Sequence, residues 1–178
     1  FANFEDALYE WWESQGFFAP ECRDGERADG GEHKRGAYVL PMPPPNVTGY
    51  LHMGHAMFVA LEDIMARFHR MRGHPTLWLP GTDHAGIATQ TIVDKRLKEA
   101  GKPALAEHKE MERNGEPGRE RFIAQVQSWK DEYEARITDQ LKAMGCSCDW
   151  DRQRFTMDEI CARAVREANP TRVPDGRS

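Results

Sequence analysis

Two apolar runs too short to be helices each give way to a longer stretch of helical periodicity, and this alternation limits the possible folds more than any other feature. The run Ala37-Tyr38-Val39-Leu40-Pro41-Met42 predicts a short buried strand, stopped and stiffened by Pro43-Pro44-Pro45. Helical spacing follows over 52–71, where Phe58, Leu61, Met65, Phe68 and Met71 recur at intervals of three and four as an apolar stripe, and Gly73 ends it. Thr76-Leu77-Trp78-Leu79 predicts a second strand, closed by Pro80-Gly81, and a helix over 87–100 ends at Gly101. Strand, helix, strand, helix in this order predicts an α/β fold with a parallel sheet. In such sheets ligands bind beyond the carboxyl ends of the strands, where helices begin.

The flanking stretches are read in the same way. Asn3 is placed to cap a short first helix with Asp6 in its first turn, an apolar stripe of Phe4, Ala7, Leu8, Trp11 and Trp12, and an end at Gly16. Residues 21–36 and 106–118 are rich in charge and glycine and predict solvated loops. A long helix over 122–144 carries Phe122, Val126, Trp129, Tyr133, Ile137, Leu141 and Met144 on one face, and Gly145 stops it. Part of that face is expected to await partners outside the chain. A last helix is predicted over 157–168, and 169–178 should be a disordered tail. The expected organisation is an N-terminal helix and charged loop over 1–36, one α/β unit over 37–168, and the tail.

Composition narrows the function classes. A net charge of −5 over 178 residues does not announce a nucleic-acid binder, though a local patch could serve one. No apolar run approaches the length of a bilayer span and no signal-peptide pattern opens the chain, so a soluble, cytoplasmic or organellar protein is expected. The first residue is Phe1 rather than Met, which points to a missing native start. Cys22, Cys146, Cys148 and Cys161 lack zinc-type spacing and read as reduced thiols.

The chemistry is concentrated in two strings. The first is Pro43-Pro44-Pro45-Asn46-Val47-Thr48-Gly49-Tyr50-Leu51-His52-Met53-Gly54-His55, which leaves a strand and opens a helix. Free N–H groups at a helix start attract phosphate, and His52 and His55, three residues apart, project from one side of that turn with ring N–H groups able to donate to phosphate oxygens. Gly54 between them would let a base or a phosphate approach the backbone. Neither a GxxxxGK[ST] loop nor a GxGxxG fingerprint occurs. Taken singly, each feature has a plainer reading: two ordinarily bonded histidines, a stiff proline turn. A metal site is disfavoured, because zinc helices place histidines at i and i+4 with an intervening glutamate. The second string is Leu77-Trp78-Leu79-Pro80-Gly81-Thr82-Asp83-His84-Ala85-Gly86-Ile87-Ala88-Thr89-Gln90, where Asp83 is placed to cap the helix that starts near Gly86.

Taken whole, these strings carry a resemblance. His52-Met53-Gly54-His55 resembles the His-Ile-Gly-His signature of class I aminoacyl-tRNA synthetases, and the preceding Pro-Pro-Pro-Asn-Val-Thr-Gly resembles their valyl branch in particular. Thr82 stands where the isoleucyl and leucyl branches typically carry tryptophan. Gly118-Arg119-Glu120-Arg121-Phe122, Trp129-Lys130 and the string from Asp149 to Glu159 continue the similarity, which spans 4–168. Residues 110–117 look like a longer loop than usual, and 169–178 lack the apolar continuation expected there.

The resemblance implies an incomplete Rossmann-like parallel sheet with flanking helices, the first half of a catalytic domain. It implies that valine and ATP, with Mg2+, form valyl-adenylate, and that valine then passes to its tRNA. Adenylate formation needs no protein nucleophile; the reactants must be held in line and the phosphate charge stabilised. His52, Gly54 and His55 would act on ATP, the two histidines catalytically; Asp83 would take the α-ammonium of valine, and Pro44, Pro45 and Asn46 would line the amino-acid pocket. The Lys-Met-Ser-Lys-Ser loop that completes such a site, and an editing domain, lie outside this sequence, so the chain alone is expected to be inactive and poorly folded. Two alternatives stand beside this reading: an adenylyltransferase with the same histidine signature but no tRNA, and a non-catalytic fragment or paralogue that binds a nucleotide or amino acid.

Overall fold

A computed structural model of the chain describes residues 2–21 and 36–168. Most of the first expected loop, the expected tail and Cys22 lie outside these residues. The elements run α1 (Ala2–Ser14), β1 (Tyr38–Pro41), α2 (Met53–Met71), β2 (Thr76–Leu79), β3 (Gly81–Thr82), α3 (Ile87–Glu99), α4 (Leu105–Arg113), α5 (Gly118–Ala143), β4 (Arg154–Phe155) and α6 (Glu159–Ala168). Short parallel strands alternate with helices, as the apolar runs predict.

The stretch 76–83 is the spine. β1 pairs with β2 in parallel, Tyr38 opposite Thr76 and Pro41 opposite Leu79. The chain does not close at Pro80-Gly81: it stays extended through Thr82, and β3 pairs in parallel with β4. The carbonyls explain the change of partner. Pro75, Leu79 and Asp83 accept from Tyr38, Met42 and Val47, whereas Trp78, Pro80 and Thr82 accept from Asp149, Arg154 and Thr156. Successive carbonyls of an extended chain point to opposite edges, so 76–83 runs between 38–47 on one edge and 149–156 on the other. Pro80 has no N–H to donate, but its carbonyl is used, so it fits inside this spine.

Several expectations need correction. The buried side of α2 is Val59, Glu62 and Ala66. Of the expected stripe only Phe58 is packed against the core, while Leu61, Phe68 and Met71 are 62%, 48% and 75% exposed and Met65 is also exposed. Small side chains let the helix lie close on the strands, which turns the large ones outward. Residues 105–113, expected as loop, form α4. Its first turn is fixed when Leu105 N–H donates to Asp94 of α3 (2.8 Å) and Ala104 N–H donates to Glu107 (3.2 Å). It packs so tightly on α5 that a Cβ on Gly118 would lie 1.8 Å from the His108 carbonyl oxygen.

On α1, which already includes Asn3, Phe4, Ala7 and Trp11 are exposed and the inward residue is Tyr9. Its hydroxyl donates to the Cys146 carbonyl (2.6 Å) and accepts from the Trp150 indole (2.7 Å), a buried anchor the apolar pattern does not register. Trp129 and Tyr133 of α5 do not await partners: both are buried in this chain, with Phe122, Ile137 and Leu141 on the same face. Met144, counted on that face, is largely exposed.

Candidate functional site

His52 is the N-cap of α2 and His55 its third residue, and both rings accept backbone N–H groups of this turn. Gly54 N–H donates to His52 Nδ1 (3.1 Å), and His52 N–H donates to His55 Nδ1 (3.1 Å). The ring centroids are 4.0 Å apart. A nitrogen that accepts a hydrogen bond holds a lone pair, so in each neutral ring the proton resides on Nε2. The helix start therefore differs from the expectation of free N–H groups. Those of His52 and Gly54 are taken by imidazoles, His55 N–H bonds the His52 carbonyl, and Leu51 N–H bonds the Gln140 side chain at 3.0 Å. What the turn offers a ligand is a pair of ring N–H donors. Gly54 also has an internal reason: a Cβ there would lie 2.9 Å from His52 Cε1. Burial, with the neighbouring His52 second, holds the His55 imidazole below its usual pKa. That favours the neutral ring.

The second string ends beside the first. Asn46 and Asp83 form a parallel bridge, with Asp83 N–H donating to the Pro45 carbonyl (2.8 Å) and Val47 N–H donating to the Asp83 carbonyl (3.0 Å). Three of the residues expected to hold the amino acid, Pro45, Asn46 and Asp83, are thus joined through the backbone. Pro45 is buried, while Pro44 and Asn46 are exposed. The Asp83 carboxylate accepts from the Thr156 hydroxyl at 2.6 Å and from Ala85 N–H at 3.2 Å. It does not cap α3: Gly86 is the N-cap and has no side-chain cap bond, and its own N–H goes to His84 Nδ1 at 3.0 Å. Ala85 sits in the left-handed region at φ 54°. For alanine that conformation costs about 1–2 kcal/mol. The bonds from Asp83 and His84 hold the turn in place.

Thr156 and Gln140 are the residues that sequence reading missed. Thr156 bridges the Asp83 carboxylate and the backbone, since its hydroxyl also accepts from His84 N–H at 3.2 Å. Its place in the string that extends the resemblance was the one available signal. Among the described residues no group of three or more His, Cys, Asp or Glu is placed to hold a metal ion, and no helix is long and apolar enough to cross a membrane. Cys146, Cys148 and Cys161 are free thiols.

Residues 7–171 match the family model of class I tRNA synthetases (I, L, M and V). The chain is 52% identical over 164 residues to the Arabidopsis thaliana chloroplastic/mitochondrial valine–tRNA ligase 2, covering 92% of this chain and 15% of that protein. It is 50% identical over 165 residues to the Homo sapiens valine–tRNA ligase, covering 92% and 12%, and 45% identical over 165 residues to that of Treponema denticola, covering 93% and 16%. A LeuRS of Agrobacterium radiobacter, solved in a ternary complex with tRNA and LeuAMS, superposes with a TM-score of 0.64 at 15% identity, covering 94% of this chain and 17% of that one. That likeness places the fold. The chain spans about one sixth or less of the length of each of these proteins.

Proposed function

Because the chain belongs to the class I tRNA synthetases of the I, L, M and V type, we propose that it contributes the first part of the active site of a valine–tRNA ligase, forming valyl-adenylate from valine and ATP before transfer to tRNA. The observation that carries this reading is that both histidine rings hold backbone N–H groups through Nδ1, which leaves two ring N–H donors three residues apart at a helix start. In the proposed reaction the valine carboxylate attacks the α-phosphorus of ATP and pyrophosphate leaves. Charge gathers on phosphate oxygens, and donors fixed in advance stabilise it without reorganising. His52 and His55 supply those donors, and Gly54 keeps their rings in register. Mg2+ travels with the triphosphate, and the phosphate oxygens are its natural ligands.

Asp83 takes the α-ammonium of valine. Among the described residues its carboxylate accepts from one hydroxyl and one backbone N–H, so it has acceptor capacity left for a cation. Pro44, Pro45 and Asn46, tied to Asp83 through the bridge, line the side-chain pocket, and a proline wall loses no side-chain entropy when it does so. The setting proposed is the cytoplasm or an organelle, with tRNA as partner of the longer protein.

The test is ATP–pyrophosphate exchange with and without valine, in the protein that carries this chain, beside calorimetric titration of each ligand. Valine-dependent exchange supports the reading. Binding of valine or ATP without exchange would favour a nucleotide- or amino-acid-binding module instead. Exchange driven by leucine or isoleucine in preference to valine would move the assignment to another branch.

A further inference from the structure

Helix α5 meets the approach to the histidine turn at four successive points on one side. The Trp129 indole donates to the Val47 carbonyl (2.9 Å), and Tyr133 lies edge-on to Tyr50 with centroids 5.9 Å apart. The Arg136 guanidinium stands 5.4 Å from the Tyr50 ring centre and bonds its hydroxyl. Gln140 Oε1 accepts from Leu51 N–H at 3.0 Å. Positions 129, 133, 136 and 140 recur at intervals of four, three and four, the spacing of one helix face. Their partners advance along the chain from 47 to 51.

We infer that Gln140 is a positioning residue for the reaction: it fixes the peptide between Tyr50 and Leu51, one step before the His52 N–H, and through it the backbone caps that set both imidazoles. The inference rests on the reading of His52 and His55 as the phosphate-side donors. The argument is one of adjacency and satisfaction. Leu51 N–H is the donor immediately before the His52 N–H that holds His55 Nδ1. Leu51 lies just before the N-cap, outside the helix's own ladder, so its N–H needs a partner from elsewhere. The N–H groups of His52, Gly54 and His55 are served from within the turn, whereas that of Leu51 is served from a side chain 89 residues away. Remove that acceptor and the Tyr50–Leu51 peptide loses its hold, so the next N–H along the chain, that of His52, is no longer fixed opposite His55 Nδ1. His55 Nδ1 then loses its donor, and nothing fixes which nitrogen bears the proton. Gln140 is itself only partly buried, and the core face of α5 is carried by Phe122, Trp129, Tyr133, Ile137 and Leu141, so its carbonyl is not needed to hold the helix.

The test compares Gln140→Leu, which removes the acceptor, with Gln140→Glu, which keeps one. In the protein that carries the chain, hydrogen exchange at the Leu51 amide and the 15N shifts of the His52 and His55 rings are read directly. Expected in the unaltered chain and in Gln140→Glu is a slowed Leu51 amide and Nε2-protonated rings. In Gln140→Leu the Leu51 amide exchanges at least tenfold faster and the His55 ring shifts toward a tautomer mixture, while the Trp129 indole N–H stays protected. In the protein that carries the chain, pyrophosphate exchange should lose about tenfold to a hundredfold in kcat for Gln140→Leu, the scale of small misplacements at a reacting centre. The KM for valine should stay within about twofold, and Gln140→Glu should restore most of the rate. The inference is overturned if Leu51 is unprotected in the unaltered chain, if the rings are unchanged in Gln140→Leu, or if both variants lose rate and valine affinity equally. Failure of the underlying reading is separate: full exchange activity in His52→Ala and His55→Ala would sink that reading whatever Gln140 does.

Discussion

Asn46 and Asp83 stand opposite one another in a parallel bridge that ties the end of the proline run to the start of the loop before α3. A side chain on either residue is therefore positioned by the backbone of the other, and the first prediction follows. Asp83→Asn keeps the shape but removes the charge, and its one amide oxygen can stand in for only one of the two carboxylate oxygens that accept from Thr156 and Ala85. Valine binding should weaken by about tenfold or more, on the scale of a lost charge-assisted bond, with ATP affinity near normal. Calorimetry separates the two ligands. Because Asp83 does not cap α3, the melting temperature should change little; equal loss of both ligands with a lowered melting temperature would instead assign it a structural role.

Each histidine serves twice, as donor and as cap. His52→Ala and His55→Ala should each slow adenylate formation by ~100-fold or more, the loss typical of an oxyanion donor, and each should lower stability by about 1 kcal/mol for the missing cap. His52→Asn separates the roles: an amide oxygen can still cap Gly54 N–H, so stability should return while the rate does not. Pyrophosphate exchange and thermal melts on the same samples test this. Recovery of both in His52→Asn would remove the imidazole from the mechanism.

Thr156 should matter for valine through Asp83, and its hydroxyl also holds the His84 N–H of the same loop. Thr156→Val, close in shape, deletes the hydroxyl that donates to the carboxylate. Valine KM should rise several-fold while Thr156→Ser stays near the parent, because serine keeps the donor. Steady-state exchange at varied valine gives the answer, and an unchanged KM in Thr156→Val would show that the hydroxyl does no positioning.

Glu62 makes stability depend on pH. Burial pushes its carboxyl above the usual range, against the opposing bond from the Trp78 indole. A carboxyl raised on folding is no burden where both states are protonated. Its cost appears as pH rises from its ordinary value near 4.5 through the folded value, and is full above that. Glu62→Gln keeps an acceptor for Trp78 without a charge. It should melt higher than the parent at pH 7, with the difference closing toward pH 4. His55 works in the other direction: its lowered value means that stability falls as pH drops below about 6.5, since the unfolded ring takes the proton first.

The thiols should react in a fixed order. Burial pushes Cys146 up to about 12 and Cys148 higher still, and both are fully enclosed. Under native conditions iodoacetamide should leave both untouched while the half-exposed Cys161 is modified slowly; urea should release them together. Early labelling of Cys146 or Cys148, located by peptide mass mapping, would contradict the packing described for 145–149.

Much of this was readable in advance, and what was not has a common cause. The bounds of β2 and, apart from the exposed Met144, the core face of α5 follow from local apolar spacing and are found as read. The inward side of α2 escaped because it consists of valine, alanine and a glutamate bonded to an indole. Helix α4 escaped because its buried inward side chain is a histidine, which an apolar count scores as polar. The bonds of Thr156 and Gln140 reach partners 73 and 89 residues away. No local period registers such a distance. The strings around His52 and Asp83 showed which residues gather; they gave no hint that both rings would hold the backbone of their own turn.

The outward apolar side of α2 and the open edge of β1 bear on how the chain behaves alone. Met57, Leu61 and Ile64 are more than 60% exposed, and among the described residues β1 is paired on one edge only. Such surfaces associate. The 178-residue chain should elute at a concentration-dependent size and give no exchange activity by itself; a monomer at every concentration with one steep urea transition would show that these surfaces are tolerated.

The tight seat of Gly118 against α4 has a consequence for how the chain can vary in length. The turn that joins the two helices, residues 114–117, closes before Gly118, whereas every bond from α5 to the approach of the histidine turn starts at Trp129 or beyond. A few residues can enter or leave that hairpin without sliding α5 along its axis, because the glycine wedge, and not the turn, sets its register against α4. The same helix thus begins at a turn whose length is free to vary and ends beside the residues that must hold still.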